Sequence, residues 1–194
     1  MRGLWAFMII PLLLSGCGYR LGKSFRTLPG GYEQVSIPVF TNQTQMVSIE
    51  PMFTNALVEQ FETSKIAKVV SDNVAPVSLQ GKILSVTFRR EAPVRGRGSA
   101  SANSEIPKLP KGTSLATQFR VQVKTELSLV RNSDSKVLWN SFFDNEIVYQ
   151  GPRLGTNVVN SANANYNHSA RKQKMAELAI VMMQEAHDRV TENF

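Results

Sequence analysis

Between Thr117 and Arg131 apolar and polar residues alternate without interruption. Phe119, Val121, Val123, Thr125, Leu127 and Leu129 fall on one side of a period of two, and Arg120, Gln122, Lys124, Glu126 and Ser128 fall on the other. Only an extended strand with one face in a core and one face in water satisfies that pattern. Asn132-Ser133-Asp134-Ser135 then reads as a polar turn, and Lys136 to Gln150 as a returning strand, so a long antiparallel hairpin is predicted. At about 3.3 Å per residue its arms reach roughly 50 Å, beyond the usual strand length. That is more sheet than a single helix covers.

The rest of the chain supplies neighbours for the hairpin. Val77 to Arg90 alternates, but its apolar set switches from Leu79 and Ile83 to Leu84, Val86 and Phe88, which predicts a bulge near Ile83. Val35-Ser36-Ile37-Pro38-Val39-Phe40 reads as a strand, and Pro38, which has no N–H to donate, places it at an edge or a bulge. Phe53, Leu57 and Phe61, flanked by Met52 and Ala56, recur at helical spacing behind Pro51, a helix of about three turns over Pro51 to Phe61. Met175, Leu178, Ala179, Met182, Met183, Ala186 and Val190 form a second stripe of about four turns, read as core packing rather than as a pliable binding surface. The expected fold is an α/β (α+β) sandwich: a mixed sheet of about four strands with two helices packed on one face.

Two stretches lack periodicity, Glu91 to Ala116 and Gly151 to Asn165. The first is long for a loop in a compact domain, and its Ser, Ala and Gly content around Ser99 to Ser104 favours mobility over residues 91–116. Arg89, Arg90, Arg95, Arg97, Lys108 and Lys111 concentrate positive charge there. The cluster fits an anion-binding loop and a solvated charged loop equally well.

The N-terminus follows a different logic. Basic Arg2, an apolar run from Leu4 to Leu14 and the sequence Leu14-Ser15-Gly16-Cys17 make a bacterial lipoprotein signal. The run is too short to cross a bilayer, which takes about 20 apolar residues. The expectation is a leader over residues 1–16, cleaved so that Cys17, the one cysteine, carries acyl chains that hold the protein on a membrane lipid surface. A secreted protein with a cysteine near its cleavage site is the plainer alternative. Gly18 to Gly31 reads as a tether, and residues 32–194 as one domain without an internal disulfide. Removing Arg2 with the leader lowers the formal charge from +7 to +6, an excess that favours anionic partners: lipid headgroups, lipopolysaccharide phosphates, peptidoglycan or an acidic protein surface. Export disfavours nucleic acid as a partner, despite Arg95-Gly96-Arg97-Gly98.

Little in the sequence spells chemistry. His168 and His187 are the only histidines, and His187 stands next to Asp188, where neighbours on a helix point apart. One acylated cysteine and two separated histidines spell no metal site, and Gly96-x-Gly98 lacks the strand, helix and third glycine of a phosphate cradle. Asp144 and Glu146 share a strand face and read as solvated. No cofactor and no enzymatic activity are expected.

Taken in order, several segments resemble the LptE family, the lipopolysaccharide-assembly lipoproteins of Gram-negative outer membranes. They are Gly16-Cys17-Gly18-Tyr19, Leu28-Pro29-Gly30-Gly31, Ile37-Pro38-Val39-Phe40-Thr41-Asn42-Gln43-Thr44, Asn55-Ala56-Leu57 with Phe61, Leu127-Ser128-Leu129 with Lys136-Val137-Leu138-Trp139, and Asp188-Arg189-Val190-Thr191-Glu192-Asn193-Phe194. The resemblance implies a lipoprotein, lipid-anchored at the outer membrane, that plugs the lumen of an LptD-type β-barrel in a one-to-one complex, helps that barrel assemble and assists lipopolysaccharide delivery. It carries over no particular lipopolysaccharide-contacting residue, so the basic residues above are the candidates by charge alone. A lipoprotein activator or pilot of a peptidoglycan synthase or a secretin is the alternative of another class.

Overall fold

The hairpin forms and organises the molecule. In a computed structural model that describes residues 26–95, 114–150 and 164–192, the elements run β1 (Gln34–Val35), β2 (Thr41–Asn42), α1 (Glu50–Ser64), β3 (Lys68–Val69), β4 (Val77–Arg95), β5 (Ser114–Arg131), β6 (Val137–Gln150) and α2 (Ala164–Thr191). Strand order in the main sheet is β2-β4-β5-β6, with β2 parallel to β4 and the other pairs antiparallel, and β1 pairs with β3 in a separate parallel ribbon. This is the α+β arrangement with a mixed sheet that the patterning implies.

The odd-numbered face of β5 meets the helices, as its alternation requires: Val121, Val123, Thr125, Leu127 and Leu129 are buried. The four apolar ones join Phe53, Leu57 and Phe61 of α1 and Met175, Met182 and Met183 of α2 in one core. The register of β4 against β5 shifts between Ile83 and Ser85, so the bulge inserts Leu84 and keeps Val86 and Phe88 on the helix side opposite Val123 and Val121. Gly81 lies on this side, opposite Leu127, because the Phe40 ring covers its backbone. A Cβ there would come within 2.4 Å of ring carbons.

Four expectations need correction. The strand read over Val35 to Phe40 is two short pieces: Ser36 bridges to Ser78, the chain leaves the sheet around Pro38, and pairing resumes at Thr41 and Asn42 against Lys82 and Ile83. Proline has no amide for the ladder, and the detour carries Phe40 down onto Gly81. The aperiodic stretch read from Glu91 to Ala116 is shorter, because Glu91–Arg95 and Ser114–Ala116 continue the β4–β5 ladder, with Glu91 opposite Gln118 and Pro93 opposite Ala116. Residues 96–113 lie outside the described part. The second helix carries the four-turn stripe but is longer, 28 residues or about 42 Å, since it starts at Ala164 in polar sequence, inside the stretch read as aperiodic from Gly151 to Asn165. Finally, Leu28 is fully buried, so packing begins ahead of residue 32. Among the described residues no helix is long and apolar enough to cross a membrane.

Candidate functional site

The solvent face of β4–β5–β6 is a charge-balanced ladder. The Arg120 guanidinium donates to Glu91 on one side and to Glu146 on the other. Lys124 meets Asp144 at 3.0 Å, Lys82 meets Glu126 at 3.6 Å, and Gln122 donates to Asp144 at 2.8 Å. Bonds from Arg120 hold the Glu91 carboxyl below its ordinary range, and bonds from Lys124 and Gln122 do the same for Asp144. Solvent-exposed pairs add little to stability. Their consequence is a wet surface with both signs fixed in place, interrupted by exposed Phe142 and Val148. Asp144 and Glu146, read as simply solvated, are therefore partners in this ladder.

Strand alternation separates the basic residues expected to act together. Arg89 lies opposite Arg120 on the ladder face, whereas Arg90 lies opposite Phe119 on the helix face. Both are exposed, and neither joins an ion pair among the described residues. Arg95 ends β4, with its side chain outside the described part, and Arg97, Lys108, Lys111 and the lipidation candidate Cys17 lie outside the described residues.

Next to Arg90 the helix face opens into a cleft of about 640 Å³. Its walls are Met46, Ile49 and Met52 at the start of α1 and Val86 and Phe88 of β4, and its rim carries Val47 with His168, Arg171 and Lys172 from α2. Arg171 lies over the Phe88 ring, 4.5 Å from the centroid, and its Nε is buried with no hydrogen-bond partner among the described residues. The α1 end that forms one wall has no side-chain cap. Among the described residues of the lining there is no carboxylate. Sequence reasoning missed this site because its walls come from three segments separated along the chain; the only local signal was Arg171-Lys172 ahead of the apolar stripe.

The opposite end of α2 is closed. His187 is buried, Phe61 meets its ring edge-on at 4.9 Å, and its Nε2 is 2.8 Å from Ser64 Oγ. Its Nδ1 is 3.4 Å from Asp188 Oδ1, so the two neighbours do touch, contrary to the expectation from helical geometry. Asp188 also accepts from Arg26 at 2.6 Å. Burial pushes the His187 imidazole toward its neutral form, against the pull of Asp188. The Ser64–His187–Asp188 sequence of contacts has the composition of a hydrolytic triad, but Ser64 ends α1 and His187 lies in the last turns of α2. Helix C-termini present carbonyls and negative potential, the reverse of what an oxyanion needs. The group is a clamp between two helix ends. Among the described residues no cluster could hold a metal ion.

The family model described as LptE, lipopolysaccharide-assembly, matches residues 32–192. No curated protein matches the chain. Among solved structures, a neuraminyllactose-binding hemagglutinin homolog from Helicobacter pylori is similar at 12% identity, with 86% of this chain and 87% of that one covered and a TM-score of 0.50. A minor lipoprotein from Acinetobacter baumannii is similar at 11% identity, 82% and 91% coverage and a TM-score of 0.47. Rare lipoprotein B from Shewanella oneidensis is similar at 14% identity, 81% and 89% coverage and a TM-score of 0.40. At these identities the first likeness concerns the fold alone, and the other two carry no further argument.

Proposed function

Because this chain belongs to the LptE lipopolysaccharide-assembly family, we propose that it is an outer-membrane protein, acylated on Cys17, that plugs and helps assemble an LptD-type β-barrel and so takes part in delivering lipopolysaccharide. Membership makes it a membrane-associated lipoprotein of the lipopolysaccharide-assembly type. The plug reading rests on one observation, the ladder face. A surface about 20 Å long on which Arg120, Lys124, Glu91, Asp144, Lys82 and Glu126 pair in opposite sign is too polar for a core and charge-balanced enough to enter a confined space without net repulsion. Large outer-membrane barrels have polar lumens that are plugged by protein, and such a lumen offers hydrogen-bonding groups in place of water. Phe142 and Val148 supply apolar contact on the same face.

The role is structural and binding rather than enzymatic, since the one serine–histidine contact described lies at the unfavourable ends of two helices. Arg89, Arg90, Arg95 and Arg97, with Lys108 and Lys111, supply positive charge toward lipopolysaccharide phosphates, where guanidinium groups bind by paired hydrogen bonds. The test is affinity purification of the full-length lipoprotein from detergent-solubilised outer membranes. A stoichiometric large β-barrel is expected, and it is expected to be lost when Phe142 and Val148 are both replaced by lysine. Recovery of a peptidoglycan synthase or a secretin instead would transfer the protein to the activator or pilot class.

A further inference from the structure

The cleft at the start of α2 combines features that the ladder face lacks. Met46, Ile49, Met52, Val86 and Phe88 give it an apolar interior, and about 640 Å³ is within the range of roughly 300–1,000 Å³ that takes one small ligand. Two methionines make that interior adaptable to a flexible chain. All the charge on the described residues of its rim is of one sign. Arg171 and Lys172 have no carboxylate beside them in the lining, and the buried Nε of Arg171 has no acceptor among the described residues.

We propose that this cleft binds a single-chain anionic amphiphile, with the acyl chain among Met46, Met52 and Phe88 and the carboxylate or phosphate head at Arg171 and Lys172. The volume suits one chain and one head, and not the several chains of a lipopolysaccharide lipid moiety. The site does not depend on the barrel-plug reading, because it lies on the helix face and not on the ladder.

The test uses the full-length lipoprotein in nanodiscs, photolabelled with a diazirine palmitate and separately with its neutral methyl ester, and read by peptide mapping. Labelling is expected at peptides containing Met46 to Met52 and Phe88, about tenfold stronger for the carboxylate, as one charge-assisted hydrogen bond implies. Arg171→Gln is expected to remove that preference. Val47→Asp, at a residue 82% exposed at the mouth, is expected to weaken labelling by the carboxylate while leaving the fold intact. Excess lysophosphatidic acid is expected to compete, and excess lipopolysaccharide is not. Equal labelling by acid and ester, labelling spread over the ladder face, or competition by lipopolysaccharide as strong as that by lysophosphatidic acid would each overturn the assignment.

Discussion

The two ends of α2 use similar side chains to opposite effect. At its C-terminal end the polar groups bond within the protein: His187 to Ser64 and Asp188, Asp188 to Arg26, Thr191 to the His187 carbonyl at 2.8 Å. At its N-terminal end, His168, Arg171 and Lys172 border a cleft with no carboxylate among the described residues of its lining. Burial explains much of the difference. His187 and Thr191 are shut off from water and need protein partners, whereas exposed Lys172 at the rim of an open cleft stays free for a ligand. The closed end serves the fold, and the open end is the better place to look for binding.

Breaking the closed end has the larger cost. Phe61→Ala removes a fully buried ring from the core and from under His187, and is expected to destabilise by about 3–5 kcal/mol in denaturant unfolding. Phe88→Ala at the open end removes a ring that is 37% exposed, and is expected to cost about 1–2 kcal/mol. Equal losses would erase the distinction between the two ends.

Acid sharpens the comparison. His187 is buried among Ser64, Phe61, Asp188 and Arg26, and its folded-state affinity for a proton is lowered, chiefly by burial. The unfolded chain therefore takes up this proton first. Stability is unaffected by this group above the ordinary histidine value of about 6.5, and is lost as pH falls below it toward the lower folded-state value. The denaturation midpoint is expected to drop between about pH 7 and pH 5, and His187→Gln is expected to flatten that part of the profile.

The smallest effects come from the exposed cations. The Arg26–Asp188 pair is partly exposed on both sides, and a double-mutant cycle is expected to give about 0.2–1 kcal/mol. Arg171→Gln is expected to change stability by no more than about 0.5 kcal/mol. A larger loss at Arg171 would mean that its stacking on Phe88 supports the fold rather than awaiting a ligand.

Legibility along the chain followed locality. The β5–β6 hairpin, the bulge at Ile83 and the α1 stripe were readable because each is written along one continuous stretch of chain, as a period or a change of phase. The continuation of β4 through Glu91–Arg95 was not, because it depends on Ser114 to Gln118 pairing across an intervening segment. The early start of α2 was hidden in the polar run from His168 to Lys174. Of the candidate site, the positive charge was visible as a list of residues, but its division between two faces required the register: Arg89 belongs with Arg120, and Arg90 with Phe119.

By itself the sequence determined the strand and helix periods, the order of the elements, the basic balance and the likeness to the LptE family, because all of these are properties of neighbours along the chain. Tertiary structure alone decided that Phe40 covers Gly81, that Ser64 meets His187 across 123 residues, and that Met46, Phe88 and Arg171 enclose one cleft. Each of those is a contact between side chains brought together only when the helices close on the sheet, so no local pattern encodes it.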